Sequence, residues 1–179
     1  MAIPSEANGG WYACLYDFAG LTVRDFIRGR FNPDSAALLD VGAGWGKYRL
    51  LLPEFAVMDA VEIWRPYVEE CALEALYRTV YVENVLDFAG RTLRYDAVIF
   101  GDTLEHIAPA EAARIVQIFD SRGAVVVAAV PFTMEQEPVD GNPFEKHLQP
   151  DLTPELMAAR FPSLCLLAQQ ESKAVYATR

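Results

Sequence analysis

Apolar residues in this chain fall into short continuous runs and into stretches where they recur every three or four positions. A short continuous apolar run is typical of a strand that is buried on both faces. The pattern therefore predicts strands at residues 36–41, 55–61, 79–82, 95–100, 124–130, 163–169 and 174–178.

The stretches between these runs have helical spacing. The first stretch, residues 11–31, is predicted to form one or two helices. If there are two, the break is expected near Gly20, and Thr22 could cap the second helix. Pro53 ends the helix that follows the first strand, and Pro66 suits the first turn of the next helix. Helices are predicted at residues 11–31, 46–52, 66–77 and 109–119, the last with one apolar side formed by Ala112, Ile115, Val116 and Phe119.

The order of these elements predicts the architecture. Strands that alternate with helices form right-handed βαβ units and a mainly parallel sheet. The last two strands are close enough to form a hairpin through residues 171–173. We predict a helical lid segment over residues 1–35 and the main α/β domain over residues 36–179. The irregular stretch at residues 131–152 is long for a small domain, and such loops are usually functional.

Three glycines at alternate positions follow the first predicted strand, in Asp40-Val41-Gly42-Ala43-Gly44-Trp45-Gly46. Glycine permits a positive φ and a close approach of the backbone to a ligand, and open α/β sheets bind nucleotides at such turns. The spacing differs from the dinucleotide pattern G-x-G-x-x-G, because Lys47 stands where the third glycine belongs. It also differs from a P-loop, which needs a glycine where Val41 stands and a serine or threonine where Tyr48 stands. A purely structural turn is the alternative.

The composition of the chain limits the classes of molecule that it is expected to bind. The 179 residues carry a formal net charge of −10 at pH 7, which disfavours nucleic acid. No metal site is predicted, since Cys14, Cys71 and Cys165 are far apart and form no C-x-x-C pair. The amino terminus lacks the basic start and apolar core of a signal peptide, and the run at residues 124–130 is too short to span a bilayer. We expect a cytoplasmic protein without a membrane partner.

Two further segments contain candidate functional residues. Glu62 follows the second strand, where a carboxylate can accept hydrogen bonds from ribose hydroxyls; a solvated strand-end acid is the alternative. The fourth strand continues as Asp96-x-Val98-x-x-x-x-x-Leu104-Glu105-His106. With the glycine turn, these segments resemble the class I S-adenosylmethionine-dependent methyltransferases, small-molecule type, over nearly the whole chain from about Ala36. The resemblance implies a Rossmann-like, doubly wound, mainly parallel seven-stranded sheet with a C-terminal antiparallel hairpin.

The resemblance also implies a cofactor, S-adenosyl-L-methionine, with S-adenosyl-L-homocysteine as product. The acid after strand two would hold the ribose, and residues after strand three would meet the adenine. Asn84 stands where an acid is commonest in the family, and Asp87 is the rival for that role. The implied cofactor-binding residues are Asp40, Gly42, Ala43, Gly44, Gly46, Glu62, Ile63, Asn84, Val85, Gly101 and Asp102.

The transferred methyl is already activated on the sulfonium, so aligning it with the acceptor supplies most of the rate and needs no metal. A hydroxyl acceptor would also need a base. The chain has two histidines, and both His106 and His147 are catalytic candidates; each could instead have a structural role. The candidate substrate-binding residues are Tyr12, Tyr16, Asp102 and His147.

We expect a methyltransferase that acts on a small-molecule, sugar-like acceptor by in-line transfer. A non-catalytic cofactor-binding or regulatory module of the same fold is the first alternative, because fold does not fix function. A nicotinamide-dependent oxidoreductase is a weaker one, disfavoured by the glycine spacing and by the lack of a Tyr-x-x-x-Lys pair. The sequence identifies neither the acceptor nor the oligomeric state.

Overall fold

The computed structural model describes residues 15–179, so Tyr12 lies outside the described residues. Seven strands form one sheet in the order β3-β2-β1-β4-β5-β7-β6. In that sheet β7 is antiparallel to both of its neighbours. The strands are β1 (Ala37–Val41), β2 (Val57–Val61), β3 (Val80–Tyr81), β4 (Ala97–Gly101), β5 (Val125–Pro131), β6 (Cys165–Gln170) and β7 (Lys173–Ala177). The predicted doubly wound sheet with its closing hairpin is confirmed.

Helices connect the strands. They are α1 (Phe18–Arg30), α2 (Lys47–Leu51), α3 (Arg65–Glu70), α4 (Leu73–Leu76), α5 (Val85–Phe88), α6 (Pro109–Ser121) and α7 (Pro154–Arg160). Two single 3-10 turns lie at Leu104–His106 and Pro143–Glu145. Within residues 15–179, no helix combines the length and apolar character that crossing a membrane requires.

Helices cover both faces of the sheet, so the strands are buried on both sides. Adjacent residues of β1 therefore face opposite sides of the sheet. Leu38 packs with Val23 and Ile27 of α1 on one side, whereas Leu39 belongs to the hydrophobic cluster on the opposite side. The α6 residues Ala112, Ile115, Val116 and Phe119 are all buried in that opposite cluster. Burial of such side chains is worth roughly 1.5–3 kcal/mol each and is the main stabilisation of the sheet.

The predicted break lies before Gly20, at Tyr16 and Asp17: Leu15 is helical, and α1 begins at Phe18. Helix α1 runs without interruption from Phe18, because the Asp17 carboxylate caps it and accepts a hydrogen bond from the Gly20 amide at 2.7 Å. Thr22 is inside the helix, and its hydroxyl donates to the Phe18 carbonyl. Packing favours glycine at position 20, since a Cβ there would lie 2.9 Å from the Leu15 carbonyl oxygen. The lid role of residues 1–35 stays a prediction.

The prediction of a single helix at residues 66–77 is wrong. It is divided into α3 and α4 at Ala72, which has a left-handed φ of 50° that a continuous helix cannot contain. The Leu104–His106 segment is not part of the next long helix. It forms a separate 3-10 turn, and α6 begins at Pro109.

Candidate functional site

The strand register brings four chain segments together at one edge of the sheet. Val41 of β1 is level with Val61 of β2 and with Phe100 of β4, so the residues that follow each strand meet there. A cleft opens at this edge, which is where open α/β sheets place their ligands. Its lining residues are Val41, Gly42, Gly44, Val61, Glu62, Ile63, Glu83, Val85, Asp102, Thr103, His106, Ile107, Asn142, Phe144 and Glu145.

The glycine turn forms the floor of the cleft. Gly42 and Gly44 have φ values of 68° and 53°, in the region that favours glycine. A Cβ on Gly42 would lie 2.7 Å from Oγ1 of Thr103, so that position admits no side chain. A Cβ on Gly44 would meet nothing closer than the Gly42 carbonyl oxygen at 3.9 Å. Gly44 therefore leaves open space on the cleft side, where a ligand can approach the backbone.

Glu62 joins this turn to the end of β2. Its carboxylate accepts one hydrogen bond from the Gly44 amide at 2.9 Å and another from the Trp64 amide at 2.7 Å. The residue is 4% exposed, and burial together with the charge of Glu145 raises the pKa of its carboxyl. A carboxylate has about four acceptor positions, so Glu62 keeps capacity for a ligand hydroxyl.

Asp40 was predicted to bind cofactor, but it does not line the cleft. Its carboxylate is buried below the turn and accepts a hydrogen bond from the Tyr77 hydroxyl at 2.5 Å. Desolvation raises the pKa of Asp40 to about 7. The first acid of the motif therefore links β1 to the residue that follows α4, and its role in this structure is to support the turn.

Four other predicted cofactor residues also lie outside the cleft lining. Ala43 is buried in the core, and Gly46 packs against Leu76 while it begins α2. The side chain of Asn84 caps α5 and accepts from the Leu86 amide at 2.9 Å. A Cβ on Gly101 would collide with the Tyr48 ring, so this glycine serves packing. The remaining six, Gly42, Gly44, Glu62, Ile63, Val85 and Asp102, line the cleft.

Asp102 connects the cleft to a small network of charges. It has a positive φ of 52°, and its carboxylate pairs with Lys173 of β7 at 2.9 Å. Lys47 reaches the same carboxylate at 4.0 Å and pairs with Asp17 at 2.8 Å. The N-cap of α1 is thereby held beside the glycine turn and the end of β4.

A long loop, residues 132–153, lies across the cleft; we call it the β5 loop. The Phe144 ring packs edge-on against Trp64 with centroids 6.2 Å apart. Burial and the charge of Glu145 raise the pKa of Tyr67, on α3, to about 12. The enclosed space is about 130 Å³, whereas sites for small molecules usually measure about 300–1,000 Å³. A nucleoside-sized ligand would therefore require the part of the loop that lines the cleft, Asn142 to Glu145, to move.

The two histidines, predicted as rival bases, are neighbours. Their rings meet edge to face with centroids 4.7 Å apart. His106 lines the cleft, and burial with the nearby His147 lowers its pKa. His147 is on the β5 loop and is 6% exposed. Glu105 lies beside them, where burial and the charge of Asp102 raise the pKa of its carboxyl well above its usual value.

Tyr16, a candidate substrate-binding residue, is 60% exposed and does not line the cleft, and the candidate His147 also lies outside the lining. Sequence reasoning also left several lining residues unassigned: Val41, Val61, Glu83, Ile107, Asn142, Phe144 and Glu145. Topology could have indicated Glu83, because it follows β3 at the same edge. The β5 loop residues carried no such signal, since their positions depend on how the loop folds back.

The cleft is acidic. Its lining contains the carboxylates of Glu62, Glu83, Asp102 and Glu145, and no lysine or arginine of residues 15–179 lines it. Such a lining favours a cationic ligand and opposes a pyrophosphate, which would need donors or positive charge at the glycine turn.

Strand order, glycine turn and strand-end acid together define the chain as a class I, Rossmann-like methyltransferase fold. Among solved structures, an S-adenosylmethionine-dependent methyltransferase from Clostridium acetobutylicum superposes with a TM-score of 0.66 at 12% identity, covering 95% of this chain and 98% of that one. Magnesium protoporphyrin IX methyltransferase from Synechocystis gives 0.65 at 14% identity, covering 99% and 86%. The DhpI–SAH complex gives 0.67 at 14% identity, covering 97% and 91%.

No protein-family model and no curated protein matches the sequence. At the identities of the structural neighbours, the likeness establishes the fold and leaves the activity to be argued from the site.

Proposed function

We propose that this protein is an S-adenosylmethionine-dependent methyltransferase with a small-molecule acceptor, a sugar-like hydroxyl compound being the first candidate. One observation carries the proposal: the Glu62 carboxylate stands beside the open backbone of Gly44 in a cleft lined by acids. Methyltransferases of the same fold support it: the Synechocystis enzyme was solved with bound S-adenosylmethionine, and DhpI was solved as a complex with S-adenosylhomocysteine.

The described residues fit this cofactor. Glu62 would accept hydrogen bonds from the ribose hydroxyls, and the space at Gly44 admits the nucleoside close to the backbone. Ile63 and Val85 supply apolar surface on the side of β2 and β3, where the adenine would lie. The acidic lining stabilises a sulfonium cation. The cofactor itself supplies an activated methyl group.

The chain's contribution to catalysis would be alignment and exclusion of water. Holding the acceptor in line with the methyl–sulfur bond can supply several kcal/mol of the barrier reduction, up to about 7–11 kcal/mol in well-oriented systems. Closure of the β5 loop would remove water from the reacting centre. The ring of His106, which lines the cleft, would take the acceptor's proton, and His147, with its ring centroid 4.7 Å away, is the alternative base.

The alternatives predict different ligands. A nicotinamide-dependent oxidoreductase would have to place a pyrophosphate in a cleft lined by carboxylates and by no lysine or arginine of residues 15–179, which is electrostatically unfavourable. A non-catalytic module of this fold would bind the cofactor but transfer nothing. A partner other than nucleic acid is consistent with the net charge of −10. Cytoplasmic location stays a prediction.

Calorimetric titration with S-adenosylhomocysteine, and separately with NAD, distinguishes these functions. We expect one S-adenosylhomocysteine bound per chain, a raised melting temperature and no heat from NAD. Labelled methyl transfer from S-adenosylmethionine to a panel of hydroxyl acceptors then separates an enzyme from a binding module. Absence of S-adenosylhomocysteine binding at millimolar ligand would remove the basis of the proposal.

A further inference from the structure

Three metal-ligating side chains converge at the wall of the cleft. Glu105, His106 and His147 each present a ligand atom, and these atoms all lie within 4.8 Å of one another. Two of the residues are adjacent in the 3-10 turn after β4, and the third comes from the β5 loop. No metal-ligand spacing is visible in the sequence, because 40 residues separate His106 from Lys146 of the loop, whose carbonyl it contacts.

Both imidazole rings are oriented by backbone carbonyls. Nδ1 of His147 lies 2.7 Å from the Met134 carbonyl oxygen, and Nδ1 of His106 lies 3.2 Å from that of Lys146. A ring that donates its Nδ1–H to a carbonyl has its lone pair on Nε2. Histidines that bind metals are commonly held in this way, with the second nitrogen bonded to a carbonyl or carboxylate.

The carboxylate of Glu105 lacks the partners that burial demands. The residue is 1% exposed, and its Oε2 atom is buried with no hydrogen-bond partner among the described residues. A buried acceptor without a partner is costly, and native structures rarely leave one without a compensating ligand. The two adjacent imidazoles provide no fixed donor for it, since their Nδ1 positions are engaged with carbonyls.

The backbone holds this arrangement in register. The Glu105 carbonyl accepts from the amides of Leu148 and Gln149, at 2.8 and 3.0 Å. The Gln149 side chain donates to the carbonyls of Leu104 and Ile107, at 2.7 and 2.9 Å. The β5 loop is thus fastened to the 3-10 turn immediately after His147, which fixes that ring beside His106.

We propose that Glu105, His106 and His147 form a binding site for a divalent first-row transition metal ion such as zinc or iron(II). Two imidazole nitrogens and one carboxylate are ligands that suit these ions, and three protein ligands leave further coordination positions open. Ligand atoms about 2.1 Å from a tetrahedral ion lie about 3.4 Å apart. The group would therefore contract by up to about 1.5 Å on binding.

Resting on the proposed function, this site also indicates the acceptor class. His106 lines the cleft, so an acceptor hydroxyl can reach an open position on the ion. Coordination lowers the pKa of a bound hydroxyl and releases its proton to solvent. The oxygen then forms a bond to the methyl carbon, and the electron pair of the broken carbon–sulfur bond returns to sulfur. The products are a methyl ether and S-adenosylhomocysteine.

The test is a titration of chelator-treated full-length protein with Zn²⁺ by calorimetry and with Co²⁺ by visible absorption. We expect one ion per chain and the d–d bands of a nitrogen–oxygen site. His147→Ala and His106→Ala should each weaken binding at least 100-fold, and Glu105→Gln at least tenfold. Two controls should keep parental affinity: a variant with all three cysteines changed to serine, which removes rival thiol ligands, and Glu111→Gln, which removes an exposed carboxylate on α6. Circular dichroism verifies that each variant is folded.

The proposal is overturned if the parent binds neither ion below about 100 µM, or if folded His147→Ala and Glu105→Gln bind with parental affinity. Loss of binding in the cysteine variant would equally overturn it, since thiols would then be the ligands. Titration of the metal-free protein with S-adenosylhomocysteine separates this outcome from the function. Cofactor binding without metal binding removes only the metal site, and the reverse removes only the methyltransferase proposal.

Discussion

Glu62→Ala is expected to weaken both the fold and cofactor binding. The carboxylate accepts hydrogen bonds from the Gly44 and Trp64 amides at 2.9 and 2.7 Å. These bonds connect the glycine turn after β1 to the end of β2. Alanine removes both acceptors from a nearly buried position, so the two amides lose their partners together.

The magnitude follows from those two bonds. Leaving a buried donor unpaired costs about 1–3 kcal/mol. Because water has partial access to the cleft, we expect the loss of both acceptors to lower the free energy of unfolding by about 3 kcal/mol in total. For a chain of this size that corresponds to a melting temperature lower by roughly 6–12 °C. Loss of the ribose acceptor should weaken S-adenosylhomocysteine binding by roughly 5–150-fold, the equivalent of about 1–3 kcal/mol.

Urea denaturation and calorimetry measure the two effects separately. Glu83→Ala is the matched control, because Glu83 also lines the cleft but pairs with Arg91 at 2.7 Å on a partly exposed surface. That change should cost less than about 1 kcal/mol of stability. Glu62→Gln keeps one acceptor and should fall between the parent and the alanine variant.

The reasoning would be refuted by a Glu62→Ala protein with parental stability and parental affinity for S-adenosylhomocysteine. Parental stability alone would mean that water replaces the carboxylate at both amides. Parental affinity alone would mean that the nucleoside binds elsewhere in the chain.

Three further predictions concern other parts of the site. Gly44→Val should weaken S-adenosylhomocysteine binding at least tenfold in calorimetry, because φ is 53° there and the added side chain fills the ligand's approach; unchanged affinity would place the nucleoside away from the turn. Asp40 has a pKa raised to about 7 in the fold, so stability is greatest below its unfolded pKa and is lost as pH rises towards 7. Asp40→Asn keeps an acceptor for Tyr77 but removes this titration. Between pH 4 and pH 8 its unfolding free energy should therefore rise by about 4 kcal/mol relative to that of the parent. A difference between variant and parent that does not change with pH would contradict the buried-acid account. His147→Ala should lower turnover on an identified acceptor by roughly 10²–10⁴-fold with S-adenosylhomocysteine affinity within twofold; if it and His106→Ala both keep full turnover, alignment alone drives the reaction.

Much of the fold could be predicted from the sequence because the strands are apolar on both faces and separated by clear turns. The segment over β4 is an example: residues 95–100 were predicted, and the strand is Ala97–Gly101. The errors arose where one side chain decides the local structure. The Asp17 cap keeps α1 continuous through Gly20, and the left-handed Ala72 divides α3 from α4. Neither decision has a periodic signature.

In the site, too, some positions could be predicted from the sequence pattern and others could not. Gly42, Gly44 and Glu62 lie next to strand ends, so parallel register alone brings them together. Asp40 stands in the same motif but points to Tyr77, a contact 37 residues away that no local pattern reveals. The pairing of His106 with His147 likewise depends on the backbone bonds from Leu148 and Gln149 to Glu105. Sequence spacing therefore predicts contacts made by strand ends better than contacts made by long loops.

The central claim is that the cleft at Gly44 and Glu62 holds S-adenosylmethionine. A crystal structure of the protein grown with S-adenosylhomocysteine tests it most directly. The account predicts density for the nucleoside over Gly44 and both ribose hydroxyls within hydrogen-bond distance of the Glu62 carboxylate. It also predicts that Phe144 of the β5 loop moves away from Trp64 while Leu148 and Gln149 stay bonded to Glu105. Density for the ligand at another place, with Glu62 still bonded only to the Gly44 and Trp64 amides, would contradict it.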